Sequence, residues 1–308
     1  MARISFADYL DELARQTWFN MVEARRLGMR MGEVTLTEQN LLAMARFVRS
    51  TGLLATVVPT RPDESTTGAD FEIWFRAQGR VVGYTIQAKV LKVKGGYYAY
   101  PEIGKTDKRG IEQAELLEKH AMRVGAFPFH LLLNGWTLGS DDEPTLPAFA
   151  PAEHFGCTVI ATPRMRTIRR HWPRPTLQAR HFLPESWPWS MLFRGGVGAH
   201  AHLVCACACA CDVDLCRCAG RVSRAGTECL GQVDVEALRG MAYELSNQDD
   251  RFGKAKYLPD YVLRALEGES PDTGPGDYVP HFILVVDDQS MLEETQVCEY
   301  WDLVGPDR

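Results

Sequence analysis

Gly68-Ala-Asp-Phe-Glu-Ile-Trp-Phe-Arg-Ala-Gln-Gly-Arg-Val-Val-Gly-Tyr-Thr-Ile-Gln-Ala-Lys-Val-Leu91 is the stretch on which the fold turns. Two alternating, β-branched and aromatic runs, 70–76 and 80–91, flank Ala77-Gln78-Gly79, a hairpin turn signal. If Gln78 and Gly79 form a two-residue turn, the numbers of facing residues add to 157, and Asp70 faces Gln87. Facing residues share a side of the sheet, as do residues two apart. One side then carries Asp70, Glu72, Trp74, Gly83, Thr85, Gln87 and Lys89. The other carries Phe71, Ile73, Phe75, Val82, Tyr84, Ile86, Ala88 and Val90, and must pack on a helix.

Working outward, Leu53–Pro59 reads as a short buried strand and residues 60–69 as loop. Before them, the segment from Gly32 to Val48 reads as a helix with Thr37 as N-cap, Glu38 in its first turn, and Leu36 and Leu41 spaced as a staple. Residues 110–123 return to helical spacing, and Phe129–Leu133 reads as another buried strand. The order over 36–133 is helix, strand, strand, strand, helix, strand. An amphipathic helix precedes it, with Phe6, Tyr9, Leu10, Leu13 and Trp18 on roughly one face. Beyond it, 155–162 reads as a strand and 163–190, with five prolines and three tryptophans, as irregular. Residues 237–248 and 261–268 read as helices, and 281–286 as a buried strand.

This division predicts a first domain over 1–194 with its core at about 33–135, a Cys-rich insertion at 195–232, and an α/β segment at 233–308 packing on the core. The chain has 308 residues, 45% hydrophobic and 24% charged, values of a globular protein. No run of 18 apolar residues occurs, so no membrane span is expected. The start of the chain is acidic enough to differ from a signal or transit peptide, and a cytoplasmic location is expected.

The polar side of the hairpin has a chemical logic. Asp70 and Gln87 offer hard oxygens about one strand spacing apart, and the Ala88 carbonyl is a candidate third ligand, a set suited to Mg²⁺. Lys89 lies beside the same position, where a cation can steady a water attacking a phosphodiester. A structural salt bridge between Asp70 and Lys89 is the competing reading.

Gly68-Ala69-Asp70 followed by Ile86-Gln87-Ala88-Lys89, on that element order, resembles the PD-(D/E)XK nuclease superfamily with its restriction-endonuclease-like fold. The Gln form resembles the Mrr-type branch. The stretches around 32–42, 68–75 and 86–89 also resemble an uncharacterised bacterial family assigned there. The resemblance implies an α/β fold with an αβββαβ core, a mixed sheet flanked by helices, and a C-terminal extension. It implies a Mg²⁺- or Mn²⁺-dependent DNA endonuclease, in restriction or phage defence. Asp70 then binds metal, Gln87 takes the usual Glu position, Lys89 is the catalytic lysine, and Glu38 or Glu33 completes the site. Ala69 stands where the family has Pro. An inactive nucleic-acid-binding module is the alternative, and a homodimer would supply two sites for two strands.

Two further features stand apart. Between Glu153 and Glu185 there is no acid, while Arg164, Arg166, Arg169, Arg170 and Arg174 fall there with Arg180, a candidate phosphate-gripping face in a chain of net charge −6. Cysteines at 205, 207, 209, 211, 216, 218 and 229 follow His200 and His202. Zn²⁺ takes such ligands, but the single-residue spacing differs from structural zinc sites and reads as low-complexity insertion. A zinc-stabilised interaction protein is the third reading.

Overall fold

The computed structural model describes residues 6–51, 54–59, 67–77, 80–94, 97–106, 109–137, 146, 150–172, 178–193, 258–266 and 282–287. The Cys-rich run, Arg174 and the helix expected at 237–248 lie outside the described residues.

Helix α1 (Phe6–Arg26) turns its Leu10, Leu13 and Trp18 stripe inward, as its spacing requires. Helix α2 spans Glu33–Thr51. It starts a full turn before Thr37, which is therefore buried inside the helix rather than capping it. Glu33 takes the first turn, where the positive end of the helix dipole favours an acid. Strands β1 (Leu54–Pro59), β2 (Phe71–Ala77) and β3 (Arg80–Val90) follow. A small hairpin, β4 (Lys92–Lys94) with β5 (Tyr97–Ala99), interrupts the expected order. Then come α3 (Gln113–Val124), β6 (Phe127–Leu133), β7 (Cys157–Ala161), α4 (Thr162–His171), β8 (Trp187–Pro188), α5 (Asp260–Leu266) and β9 (Phe282–Asp287). The stretch read as irregular thus opens with a helix, α4, whose Pro163 sits in the first turn, where it breaks no hydrogen bond.

The β2–β3 register is the one the two-residue turn dictates: Phe71 faces Ile86 and Ala77 faces Arg80. Seven strands form one mixed sheet in the order β1, β9, β2, β3, β6, β7, β8. β3 runs parallel to β6 and β9 parallel to β2; the other pairs are antiparallel. The C-terminal strand β9 therefore sits between β1 and β2, inside the sheet.

The hairpin's apolar side does pack on helices. Phe71, Ile73, Tyr84, Ile86, Ala88 and Val90 join Leu10 and Trp18 of α1 and Leu36, Leu41 and Met44 of α2 in one buried cluster. Trp189 ties α1 down by donating its indole N–H to the Leu10 carbonyl at 2.7 Å. The opposite side is covered as well. Trp74 is fully buried with Ala126, Leu258 and Val262. Its ring lies over Gly83, where a Cβ would come within 2.3 Å of it. No described helix is long and apolar enough to cross a membrane.

Gly68 seats the sheet on α3. Its φ is +67°, and a Cβ there would lie 2.4 Å from the Gln113 carbonyl oxygen and 2.8 Å from the Leu117 nitrogen. Both obstacles are backbone, so neither can swing away. We expect Gly68→Ala to destabilise the protein by about 2 kcal/mol or more, through left-handed strain and loss of the α3 contact. Urea unfolding checks this; a loss below half that value contradicts the tight approach.

Candidate active site

The loop before β2 delivers Asp70 to β3. Its amide donates to the Ile86 carbonyl at 2.9 Å, and its Oδ2 accepts the Ala88 amide N–H at 2.6 Å. It is the Ala88 amide, then, that meets Asp70 here. Gln87 and Lys89 flank that amide on the strand and are 1% and 2% exposed. Lys89 Nζ pairs with Glu33 Oε1 at 3.3 Å, so the ion pair it makes is with α2 rather than with Asp70. The early start of α2 brings Glu33, rather than Glu38, onto Lys89. Glu38 lies five residues further on, about 140° around the helix, and is exposed.

Two atoms here are buried without a hydrogen-bond partner among the described residues, Gln87 Nε2 and Glu33 Oε2. Unpaired buried polar atoms are costly and rare. The nitrogen and oxygen of an amide are assigned from their partners, so the orphaned end of Gln87 can equally be its acceptor. An acceptor amide on Gln87, a spare carboxylate oxygen on the Glu33 that pairs with Lys89, and the Asp70 carboxylate at the head of the same hairpin are oxygen donors of the kind a divalent cation prefers. Among the described residues no three His, Cys, Asp or Glu side chains gather as a metal-holding set. This set counts two acids and an amide, and so differs in kind from such a cluster.

β6 adds a residue that sequence reasoning passed over. His130 is the register partner of Gln87, buried, with Nδ1 3.0 Å from Thr162 Oγ1. Burial, with the Lys89 charge behind it, pushes its pKa down to about 3. Gln113 begins α3, and its backbone touches Gly68, two residues before Asp70.

A second polar centre lies under the same side of the sheet. Glu72 is fully buried. Its Oε2 accepts the Trp74 indole N–H and the Tyr261 hydroxyl, each at 2.7 Å, and its Oε1 lies 2.5 Å from His120 Nε2. His120 Nδ1 faces Arg123 Nη2 at 3.0 Å. A guanidinium only donates, so Nδ1 accepts and Nε2 carries the hydrogen given to Glu72. Burial first, then the Glu72 carboxylate, hold the Tyr261 hydroxyl protonated, its pKa well above the usual value. Alternation placed Glu72 on the polar side, but nothing near it in sequence announces that α5 closes over it.

The arginine window is acid-free only along the chain. Arg164 pairs with Glu185 at 2.7 Å, Arg166 with Glu118, and Arg169 with Glu112. Three of the five candidates are thus neutralised by glutamates, two of them on or beside α3. Arg170 is exposed.

Two outcomes follow. Tyr261→Phe removes a donor to a buried carboxylate and should cost about 1.5–3 kcal/mol in chemical denaturation; no change would mean that the Glu72 centre does not hold α5. His130 takes up a proton in the unfolded chain near the ordinary histidine value of 6.5 and in the folded chain only near 3. The unfolded state therefore binds more protons between these values, and stability is lost as pH is lowered through that window, by about 1.4 kcal/mol per unit for one proton. His154 and His181 are shifted the same way, so His130→Asn should shallow this slope rather than abolish it. Unfolding series at several pH values read the difference; parallel slopes would remove His130 from the acid response.

Residues 6–291 match the model of a family of unknown function (DUF6615). Comparison with curated proteins gives no match.

Proposed function

The chain therefore belongs to the DUF6615 family, and from the geometry of its site we propose that it is a divalent-metal-dependent phosphodiester hydrolase acting on nucleic acid. The observation that carries this reading is one constellation: Asp70 on the Ala88 amide, Gln87 and Lys89 either side of it, and Glu33 brought onto Lys89 by the first turn of α2. The orphaned atoms of Gln87 and Glu33 support it from a second direction. The core order of helix, three strands, helix and strand, with β3 parallel to β6, is in keeping with a restriction-endonuclease-like core. In this fold β9 would be an addition between the first two core strands.

Asp70, Glu33 and Gln87 would hold Mg²⁺ or Mn²⁺, which polarises a phosphodiester and makes a nearby water more acidic when bound. The other tasks belong to the chain. Lys89, buried and tethered by Glu33, presents a fixed positive charge where negative charge grows on the phosphate. The Ala88 amide fixes the Asp70 carboxylate against the strand. His130, uncharged above about pH 3, adds no second positive charge that would repel the metal. DNA as substrate, a defence role and paired copies cutting two strands extend this reading.

The second reading is a binding module of the same fold without cleavage. It is favoured by the neutral Gln87 and by the closed Lys89–Glu33 contact, which satisfies the lysine without a metal.

Cleavage of plasmid DNA, single-stranded DNA and RNA under a Mg²⁺ or Mn²⁺ titration decides between them. Wild type should cut and EDTA should stop it. Asp70→Asn, Lys89→Ala and Glu33→Gln should each lose roughly 100-fold or more with their folds intact by circular dichroism. Gln87→Glu should keep activity and need less metal. Wild type inert on all three substrates removes the enzyme reading and leaves the binding module.

A further inference from the structure

The C-terminal end of α4 carries a pocket that the hydrolase site does not use. Its volume is about 500 Å³, and Arg164, Ile168, Arg170, Trp172, His181 and Glu185 are in its wall. Trp172 is 43% exposed, and a wet tryptophan inside a concavity asks for an occupant. The ring is held flat. It stacks on His181 with centroids 4.2 Å apart and planes 18° from parallel. The His181 ring is fixed in turn, because its Nδ1 accepts the Gln178 amide N–H at 2.9 Å. Burial, then the Arg180 charge, lower its pKa, which favours an uncharged ring in the stack.

The charges around this platform are divided. Glu185 is engaged by Arg164 through two hydrogen bonds, at 2.7 and 3.2 Å. Arg169 and Arg166 are drawn away to Glu112 and Glu118. The Arg170 guanidinium makes no hydrogen bond or ion pair among the described residues, acts on Glu118 only through space, and stands exposed in the pocket wall. Among the described residues the pocket thus offers a planar aromatic platform, an apolar wall at Ile168 and, in Arg170, a cation outside any ion pair. A flat heteroaromatic ring attached to a phosphate matches all three. An acyl chain would leave the cation idle, and a simple anion would leave the platform idle.

We propose that this pocket receives an unpaired nucleotide of a single strand, with its base stacked on Trp172 and its phosphate at Arg170. The proposal deepens the hydrolase reading by naming what kind of strand the protein holds, and it is tested apart from cleavage. A base within a duplex is stacked on its neighbours and cannot present a face to Trp172. Stacking on an aromatic side chain is tolerant of base identity, so the strand's sequence should matter little.

The test is binding of the full chain, in EDTA so that no cleavage intervenes, to a fluorescent single-stranded 20-mer, to a blunt duplex of the same sequence, and to AMP. Wild type should bind the single strand tighter than the duplex. Trp172→Ala should weaken single-strand binding about tenfold and Trp172→Phe much less. Arg170→Ala should lower the salt slope of single-strand binding by about 0.7. Because Trp172 is exposed, thermal melting of these variants should match wild type. Unchanged single-strand affinity in Trp172→Ala, a preference for duplex, or no binding at all overturns the proposal. Tight AMP binding without strand binding overturns it in favour of a free nucleotide. Trp172-dependent strand binding by a protein that never cleaves leaves the pocket standing and removes the hydrolase.

Discussion

The hairpin register governs everything built around it. Side chains alternate along a strand, so a slip of one residue between β2 and β3 would exchange the two sides of the sheet. Phe71, Ile73 and Ile86 would leave the cluster they share with α1 and α2, and Asp70, Gln87 and Lys89 would lose their common side. Two devices hold the register. The pairing of Ala77 with Arg80, with two residues between them along the connection, sets it at one end. At the other, Asp70 is bonded twice to β3, by its amide to Ile86 and by its carboxylate to Ala88. The same carboxylate that stands at the candidate site is thus part of what aligns the strands.

The polar side of this hairpin divides into two regions with opposite treatment. At Glu72 every oxygen is spoken for, by indole, hydroxyl and imidazole. A buried carboxylate is tolerable on those terms, since the donors replace the water it loses. Toward Gln87 and Glu33 the pairing is incomplete. Both regions are buried in the same sheet and built from the same residue types. The difference lies in completeness; Thr37 Oγ1 and Trp136 Nε1 are also buried without a partner among the described residues, so it is the place of the Gln87 and Glu33 atoms around Lys89, rather than their being unpaired, that singles them out.

Much of this was legible in the chain. The turn at Gln78-Gly79 and strict alternation gave the register, because both are local. The choice between Glu33 and Glu38 was not, since it rests on where α2 begins, and Thr37 offered a false cap. Helix starts depend on what the first turn packs against, and Leu36 is buried by the sheet. The insertion of β9 between β1 and β2 was out of reach for a different reason. The apolar run at 281–286 announces a buried strand, but its neighbours lie more than two hundred residues earlier, and hydrophobicity does not name a partner. The arginine window misled in the same way: the glutamates that neutralise Arg166 and Arg169 come from around α3.

Charge counting around the candidate site gives a reason for the amide at position 87. Glu33 and Lys89 cancel, leaving Asp70 as the one net negative charge among these residues. A glutamate at 87 would add a second, at a position 1% exposed and beside an uncharged His130. In the absence of a cation, two like charges one strand spacing apart, one of them desolvated, would be paid for in stability. Glutamine keeps the oxygen while removing that cost. The exchange weakens the pull on a divalent cation, because an amide oxygen is a poorer partner than a carboxylate. A site built this way stays folded and closed on its own Lys89–Glu33 pair, and on the proposed reading it would fill only where metal is plentiful or where a substrate phosphate brings further oxygens with it.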